Sequence, residues 1–259
     1  MYNNLKNKKI LIIGGSSGIG YSTAKCFVEL DNYVIIIGRN KNKLESAIKN
    51  LGDKSNYKVC DCSNYENVKK VFEEFKNEEI EFDHVIYSAG GAYFSSINNI
   101  EKDITINQFN TRVLGILWVT KYAVPLINKN GGSFVYISGI ANYKGIPFYS
   151  VGSSIDGAID GMLKSLSVEL ANQKIRFNSV SPGNIDKTDI LKNPDTKIMI
   201  FNNDDNKLQD KTDIILDDTI NNLASRKGIP EEIAKTILTL CDNKFIIGQV
   251  IKVDGGFTC

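Results

Sequence analysis

Histidine is almost missing from this chain of 259 residues, with His84 the only one. Cysteine is sparse and scattered, at positions 26, 60, 62, 241 and 259, and no C-x-x-C pair occurs. These absences argue against a histidine-based metal site and against a Ser-His-Asp triad. No metal is expected. The odd cysteine count argues against a disulfide framework, so the thiols read as small buried or surface groups. His84 precedes the apolar run Val85-Ile86-Tyr87 and reads as a strand-edge residue. Excess charge is also lacking. Lys and Arg total 31 against 30 Asp and Glu, a net charge of +1, which gives no pull toward nucleic acid or anionic membrane. No apolar run approaches the ~20 residues that span a bilayer. Residues Met1–Lys6 have no apolar signal core, so a cytoplasmic protein is expected.

What is present is a repeating pattern. At 42% hydrophobic and 24% charged, the chain has enough apolar content for one large core without covalent staples. Short strand-like runs recur at 10–13, 33–37, 57–60, 84–87, 133–137, 175–180 and 250–253. Several are continuous and β-branched, as strands covered on both faces should be. Helical patterns lie between them, at 44–51, 68–75, 109–127, 155–171 and 231–241. Such alternation predicts an α/β fold: one doubly wound parallel sheet of about seven strands with helices on both faces. The whole chain, 1–259, reads as a single domain. Residues 186–228 interrupt the pattern with Asn, Asp and Lys around apolar islands such as Ile198-Met199-Ile200-Phe201. They read as a lid insertion over the substrate side, or as a surface excursion.

The run Gly14-Gly15-Ser16-Ser17-Gly18-Ile19-Gly20 follows the first strand and precedes a helix at 21–30. A glycine turn feeding a helix N-terminus offers unpaired N–H donors and partial positive charge, which suit a pyrophosphate. The strand–turn–helix context is what such a motif requires.

Residues 13–20 resemble the T-G-x-x-x-G-I-G loop of the short-chain dehydrogenase/reductase family, with Ile13 in place of Thr. Further motifs extend the resemblance over the whole chain. Asp61 matches an adenine-contacting Asp, with Cys62 beside it. Ser88-Ala89-Gly90 matches the end of an N-N-A-G motif, although Tyr87 and Ser88 replace both asparagines. Residues 175–183 resemble I-R-V-N-x-V-x-P-G, and 230–234 with 248–256 resemble the C-terminal signature. The resemblance implies a Rossmann fold and a dinucleotide site that uses Gly14, Ser16, Ser17, Gly18, Ile19, Gly20, Asp61, Cys62, Ser88, Ala89, Gly90, Pro182, Gly183 and Ile185. The second strand ends Ile37-Gly38-Arg39-Asn40, with no carboxylate for a ribose 2′-OH. Arg39 suits a 2′-phosphate, so NADP(H) is the expected cofactor, the alternative for Arg39 being a solvated strand-end charge.

The family's Ser, Tyr, Lys and Asn are not found. Counting from the flanking motifs places these positions at Gly139, Gly152, Asp156 and Arg112. Arg112 and Asp156 stand where the family's Asn and Lys approach each other, so they form an ion pair or sit as two independent charges. Tyr149 lies seven residues before Asp156, a spacing that resembles the enoyl-reductase branch of the family. Tyr149 is thus a candidate proton donor with a phenol near its ordinary ~10, or an aromatic packed at a helix mouth. Ser138 is the nearest hydroxyl to the lost serine and a candidate in its place, or a strand-end residue that points inward. Arg112 also reads as a clamp for a substrate carboxylate or phosphate, joined by Tyr143 and Lys144.

Three functions follow. The leading one is an NADP(H)-dependent reductase of a small carbonyl, imine or activated alkene. The second is a non-catalytic NADP(H) sensor or partner subunit. The third is an isomerase, dehydratase or cyclase on the same scaffold. The helix at 109–127 is apolar on more than one face, too much for a helix burying one stripe. The family resemblance implies that it and the helix at 152–171 pair with the same helices of a second subunit, so a homodimer or homotetramer is expected.

Overall fold

In the computed structural model, residues 2–186, 188, 199–202, 207–210 and 222–259 are described. The strands are β1 (Lys9–Ile13), β2 (Tyr33–Gly38), β3 (Ser55–Val59), β4 (His84–Tyr87), β5 (Gly132–Ile137), β6 (Ile175–Pro182), β7 (Met199–Asn202), β8 (Lys207–Asp210) and β9 (Val250–Val253). The helices are α1 (Gly18–Glu29), α2 (Lys41–Leu51), α3 (Tyr65–Asn77), α4 (Lys102–Phe109), α5 (Gly115–Ala123), α6 (Ser150–Glu169) and α7 (Pro230–Asp242). Seven strands form one parallel sheet in the order β3-β2-β1-β4-β5-β6-β9. The order reverses between β1 and β4, and a ligand crevice opens beyond the strand ends at such a switch point.

Side-chain alternation explains why both sheet faces are dry. Leu11 and Ile13 enter one core, with Ile35, Ile37, Val85, Phe134 and Phe177. Ile10 and Ile12 enter the other, with Val34, Ile36, Ile86 and Val135. A period of two applied to all-apolar strands feeds both layers, so the sheet needs helices on each side. Helices α3, α5 and α6 cover the first face, and α1 and α7 pack together on the second. The buried Arg176 guanidinium donates to the carbonyls of Leu240, Cys241, Asn243 and Ile246, which closes the C-terminal end of α7.

His84 is not at a sheet edge. It opens β4 between β1 and β5, is buried, and its Nδ1 lies 2.8 Å from Ser133 Oγ. Burial lowers its pKa from 6.5 to about 3, with Asp83 opposing. The folded state therefore refuses a proton that the unfolded chain accepts. Stability is fully present above pH 6.5 and is lost as pH falls toward 3, by as much as roughly 5 kcal/mol. Urea midpoints measured across this range should fall in the native protein. They should fall less in His84→Gln.

Two features were not anticipated. Helix α4 has only Ile104, Ile106 and the terminal Phe109 among polar residues, and Ile106 is exposed, so no apolar stripe announced it. Between α4 and α5 the chain widens into a π-turn, Asn110–Leu114. Its cause is local. Tyr87 Oη donates to the Thr111 carbonyl at 2.5 Å, and the Gly115 N–H donates to Asn110 instead. A side chain that captures a helix carbonyl breaks the i→i−4 ladder. Gly115 permits the approach, because a Cβ there would lie 2.3 Å from Tyr87 Oη.

Most of the predicted lid lies outside the described residues. Within it, β7 and β8 pair antiparallel. Its ends are tied together where Asp186 N–H donates to Gly228 and Gly228 N–H donates to Asn184. Among the described residues no helix is long and apolar enough to cross a membrane, and no metal-ligating cluster occurs.

Candidate active site

A cleft of about 800 Å³ runs over the carboxyl ends of β1, β2, β4, β5 and β6. At one end the first turn folds back under α1. Gly14 N–H donates to Ile37, and a Cβ on Gly14 would lie 2.7 Å from the Ala89 nitrogen. Only glycine lets the two loops approach this closely. Gly18 sits at φ 51°, with the nearest atom to its missing Cβ 3.5 Å away, on Thr188. Ser17 caps α1 without a side-chain hydrogen bond, so its hydroxyl does not compete for the N-terminal donors. Gly20 does not line the cleft. It is buried beneath the turn, where a Cβ would meet the Gly14 carbonyl oxygen at 2.2 Å. Its part is to let helix and turn close.

Arg39, Asp61 and Cys62 form the far wall, with Asn40 and Lys43 beside Arg39. The Asp61 Oδ1 accepts from the Ser63 N–H and hydroxyl, at 3.0 and 2.7 Å, which holds the carboxylate in place. Ser16, Ile19, Ser88, Ala89, Gly90, Pro182, Gly183 and Ile185 line the middle. The residues named from sequence for a dinucleotide, Gly20 apart, thus share one cleft. A glycine cradle, open helix donors and a basic far wall fit such a cofactor.

The inner wall holds three of the four positions identified by counting, Arg112, Gly139 and Asp156, with Gly152 behind Tyr149. Arg112, on the π-turn, donates from Nη2 to Asp156 Oδ1 at 2.7 Å. The side chains are 9% and 1% exposed, so this is a buried ion pair and not two separate charges. Arg112 Nη1 also lies 3.5 Å from Tyr149 Oη. Burial works against the Arg112 charge, but Tyr149 and Asp156 together raise its pKa above the ordinary value. Burial pushes the Asp156 carboxyl upward and Arg112 pulls it back. The Tyr149 phenol is raised chiefly by burial, with Arg112 opposing. It is therefore a weaker acid than the ~10 expected from sequence.

Tyr149 faces the cleft from the N-cap of α6. Its ring packs on Phe94 with centroids 4.5 Å apart. The preceding Phe148 holds φ at 63°, a costly conformation for a residue with a side chain, and the Ser95 N–H donates to its carbonyl at 2.8 Å. Gly152 makes room, since a Cβ there would lie 2.0 Å from a Tyr149 ring carbon. Gly139 does the same for Asp156 Oδ2 at 2.4 Å.

Other expectations are corrected. Ser138 lines the cleft, but its hydroxyl bonds to Ser181 Oγ and Ser179 Oγ at 2.8 and 3.0 Å. It belongs to a buried hydroxyl network between β5 and β6, because the strand pleat turns it inward. Tyr143 and Lys144 do not join Arg112. Tyr143 Oη donates to Asp160 and Lys144 Nζ to the Phe257 carbonyl, each at 2.7 Å. Sequence reading missed Phe94 and Gln108 as cleft walls, having no motif to mark them.

Comparison with known proteins agrees with this architecture. Residues 14–258 match the family model described as Enoyl-(Acyl carrier protein) reductase. The chain is 32% identical over 260 residues to 3-oxoacyl-(acyl-carrier-protein) reductase of Chlamydia muridarum, covering 97% of this chain and 98% of the relative. It is 30% identical over 257 residues to carbonyl reductase family member 4 of Xenopus laevis, covering 96% and 98%. A solved short-chain type dehydrogenase/reductase from Mycobacterium ulcerans superposes with a TM-score of 0.81 at 25% identity, covering 98% of this chain and 90% of that one. With its seven-stranded parallel sheet, its cleft at the switch point and these matches, the chain belongs to the short-chain dehydrogenase/reductase family, whose members bind a nicotinamide dinucleotide.

Proposed function

We propose that this protein is an NADP(H)-dependent reductase whose proton donor is Tyr149. One observation carries the reading: a single cleft joins the glycine cradle and Arg39 at one end to the phenol of Tyr149 at the other. Gly14, Ser17, Gly18 and the first N–H groups of α1 would hold the pyrophosphate. Arg39 would hold the 2′-phosphate, Asp61 the adenine, and Pro182, Gly183 and Ile185 the nicotinamide end. When bound, the cofactor supplies hydride. The protein's part is to orient the acceptor, exclude water and deliver a proton from Tyr149 Oη. The substrate is a small carbonyl, imine or activated alkene. The names of the relatives, a carbonyl reductase and a ketoacyl reductase, favour the carbonyl.

Arg39→Ala should weaken NADPH binding about 10- to 100-fold, as the loss of a charge-assisted phosphate contact does. NADH binding should stay within twofold. Titration calorimetry with both nucleotides measures this. An equal loss for both would remove the NADP assignment. For turnover, NADPH oxidation is followed against ketones, imines and enones in native protein and Tyr149→Phe. Tight NADPH binding without any turnover would favour the sensor reading.

The reading extends to a cytoplasmic homo-oligomer. Ile106 on α4, Leu117 on α5 and Val168 on α6 are exposed, Val168 at 81%, and such residues suit a self-complementary face. Light scattering at micromolar concentration should give a dimer or tetramer, and a monomer would refute this part.

A further inference from the structure

Gly90 and Gly139 on the cleft wall, and Gly152 behind it, each admit one member of a side-chain trio. A Cβ on Gly90 would lie 2.8 Å from Arg112 Cγ, one on Gly139 2.4 Å from Asp156 Oδ2, and one on Gly152 2.0 Å from the Tyr149 ring. At Gly139 and Gly152, where counting puts the family's Ser and Tyr, missing side chains would leave voids without compensation, whereas here each space is filled by a neighbour. Gly90 matches the family's own glycine and admits Arg112. The wall is therefore repacked as a unit around Arg112, Asp156 and Tyr149.

We propose that Arg112 is the positioning cation for Tyr149: it holds Oη at the cleft wall and offsets the charge left there on proton transfer, while Asp156 fixes the guanidinium. This rests on the reductase reading above. In the step, the Tyr149 O–H bond breaks and an O–H bond forms on the substrate carbonyl oxygen. The electron pair of the broken bond stays on Tyr149 Oη as phenolate. The hydride that NADPH would supply from the cleft forms the new C–H bond, and the carbonyl π pair moves to the oxygen that takes the Tyr149 proton. Arg112 keeps all its protons, and water returns one to Oη.

The geometry gives each part of this. Nη2 is anchored on Asp156 at 2.7 Å, which orients the rigid fork and leaves Nη1 3.5 Å from Tyr149 Oη. A guanidinium does not lose its charge in proteins, so it never competes as the proton donor. The charged groups facing Tyr149 are Arg112, from the π-turn, and Asp156, from α6 itself. The third neighbour, Phe94 on the loop after β4, is uncharged. On Tyr149 the pull of Arg112 outweighs the opposing effect of Asp156. The π-turn has a function on this view, since it sets the rotation of Arg112 relative to α6, and such bulges recur at functional sites.

The test compares native protein, Arg112→Lys, and the double variant Arg112→Met/Asp156→Asn, which leaves no lone buried charge. Tyr149 is titrated by tyrosinate absorbance, as a difference against Tyr149→Phe in each background, because the chain has 11 tyrosines. In the double variant the Tyr149 midpoint should rise by about one pH unit or more, as expected when a nearby cation is lost. The kcat should fall about 100-fold, with KM and NADPH affinity within twofold. Arg112→Lys should restore most of both. An unmoved midpoint and unchanged kcat in a folded double variant would overturn the proposal. A moved midpoint in a protein that turns over no substrate would instead overturn the reductase reading, leaving the electrostatic link between Arg112 and Tyr149 standing.

Discussion

Replacing Arg112 with alanine is expected to destabilise the protein by about 3–5 kcal/mol, the largest effect of any single change at the site. The reason is Asp156. Its carboxylate is 1% exposed and bonds to Arg112 Nη2 at 2.7 Å. Remove the guanidinium and a buried charge stays behind without its cation, or is neutralised by taking a proton. The intact pair itself contributes little net stability, because two desolvated charges offset most of their attraction. The double variant Arg112→Met/Asp156→Asn should therefore cost less than Arg112→Ala alone. Urea unfolding at pH 7 measures all three proteins. A loss below about 1 kcal/mol for Arg112→Ala would mean the pair behaves like a surface salt bridge. The deficit of this single variant relative to the native protein should shrink as pH falls, since protonation of Asp156 relieves the unpaired charge, while His84 lowers the stability of both proteins in that direction.

Restoring the tyrosine that the family carries at position 152 is expected to damage the protein. A Cβ on Gly152 would lie 2.0 Å from a Tyr149 ring carbon, so even Gly152→Ala must displace that ring from Phe94. Overpacking of this kind costs about 1–3 kcal/mol. Gly152→Tyr should lie at or above the top of that range. If the clash is the cause, removing the other partner relieves it. Gly152→Ala in a Tyr149→Ala background should then be nearly neutral, giving a coupling of about 1–3 kcal/mol between two residues three apart on one helix. Independent, additive effects would show that Tyr149 does not occupy the space over Gly152. NADPH affinity should change little in these variants, since the glycine cradle and Arg39 lie at the other end of the cleft.

Strands β4 and β9 stand where the apolar runs at 84–87 and 250–253 placed them. Helices α2, α3 and α6 begin three to five residues earlier than the apolar pattern suggested, because their first turns have few apolar residues. Lys41–Lys43 and Tyr65–Asn67 are capped by Asn40 and Asn64 side chains, which accept from Lys43 and Asn67. Helix α4 was not legible because its one well-buried residue is Gln108, which no hydrophobic pattern marks. The π-turn was invisible for a different reason. It depends on a hydroxyl of β4 reaching a carbonyl 24 residues further on.

The sequence alone determined the sheet and the glycine turn before α1, and by counting it put Gly139, Gly152, Asp156 and Arg112 at the positions where the family resemblance implies the catalytic side chains. Each of these is encoded locally, in strand alternation, in glycines before a helix, or in residue identity at a counted position. Tertiary structure decided what replaces them. That Arg112 meets Asp156 across 44 residues, that Gly139 and Gly152 are spaces filled by Asp156 and Tyr149, and that Ser138 turns away to Ser179 and Ser181 are facts of packing between elements. Charge and volume complementarity of this kind acts between neighbours in space, and such neighbours carry no fixed spacing along the chain.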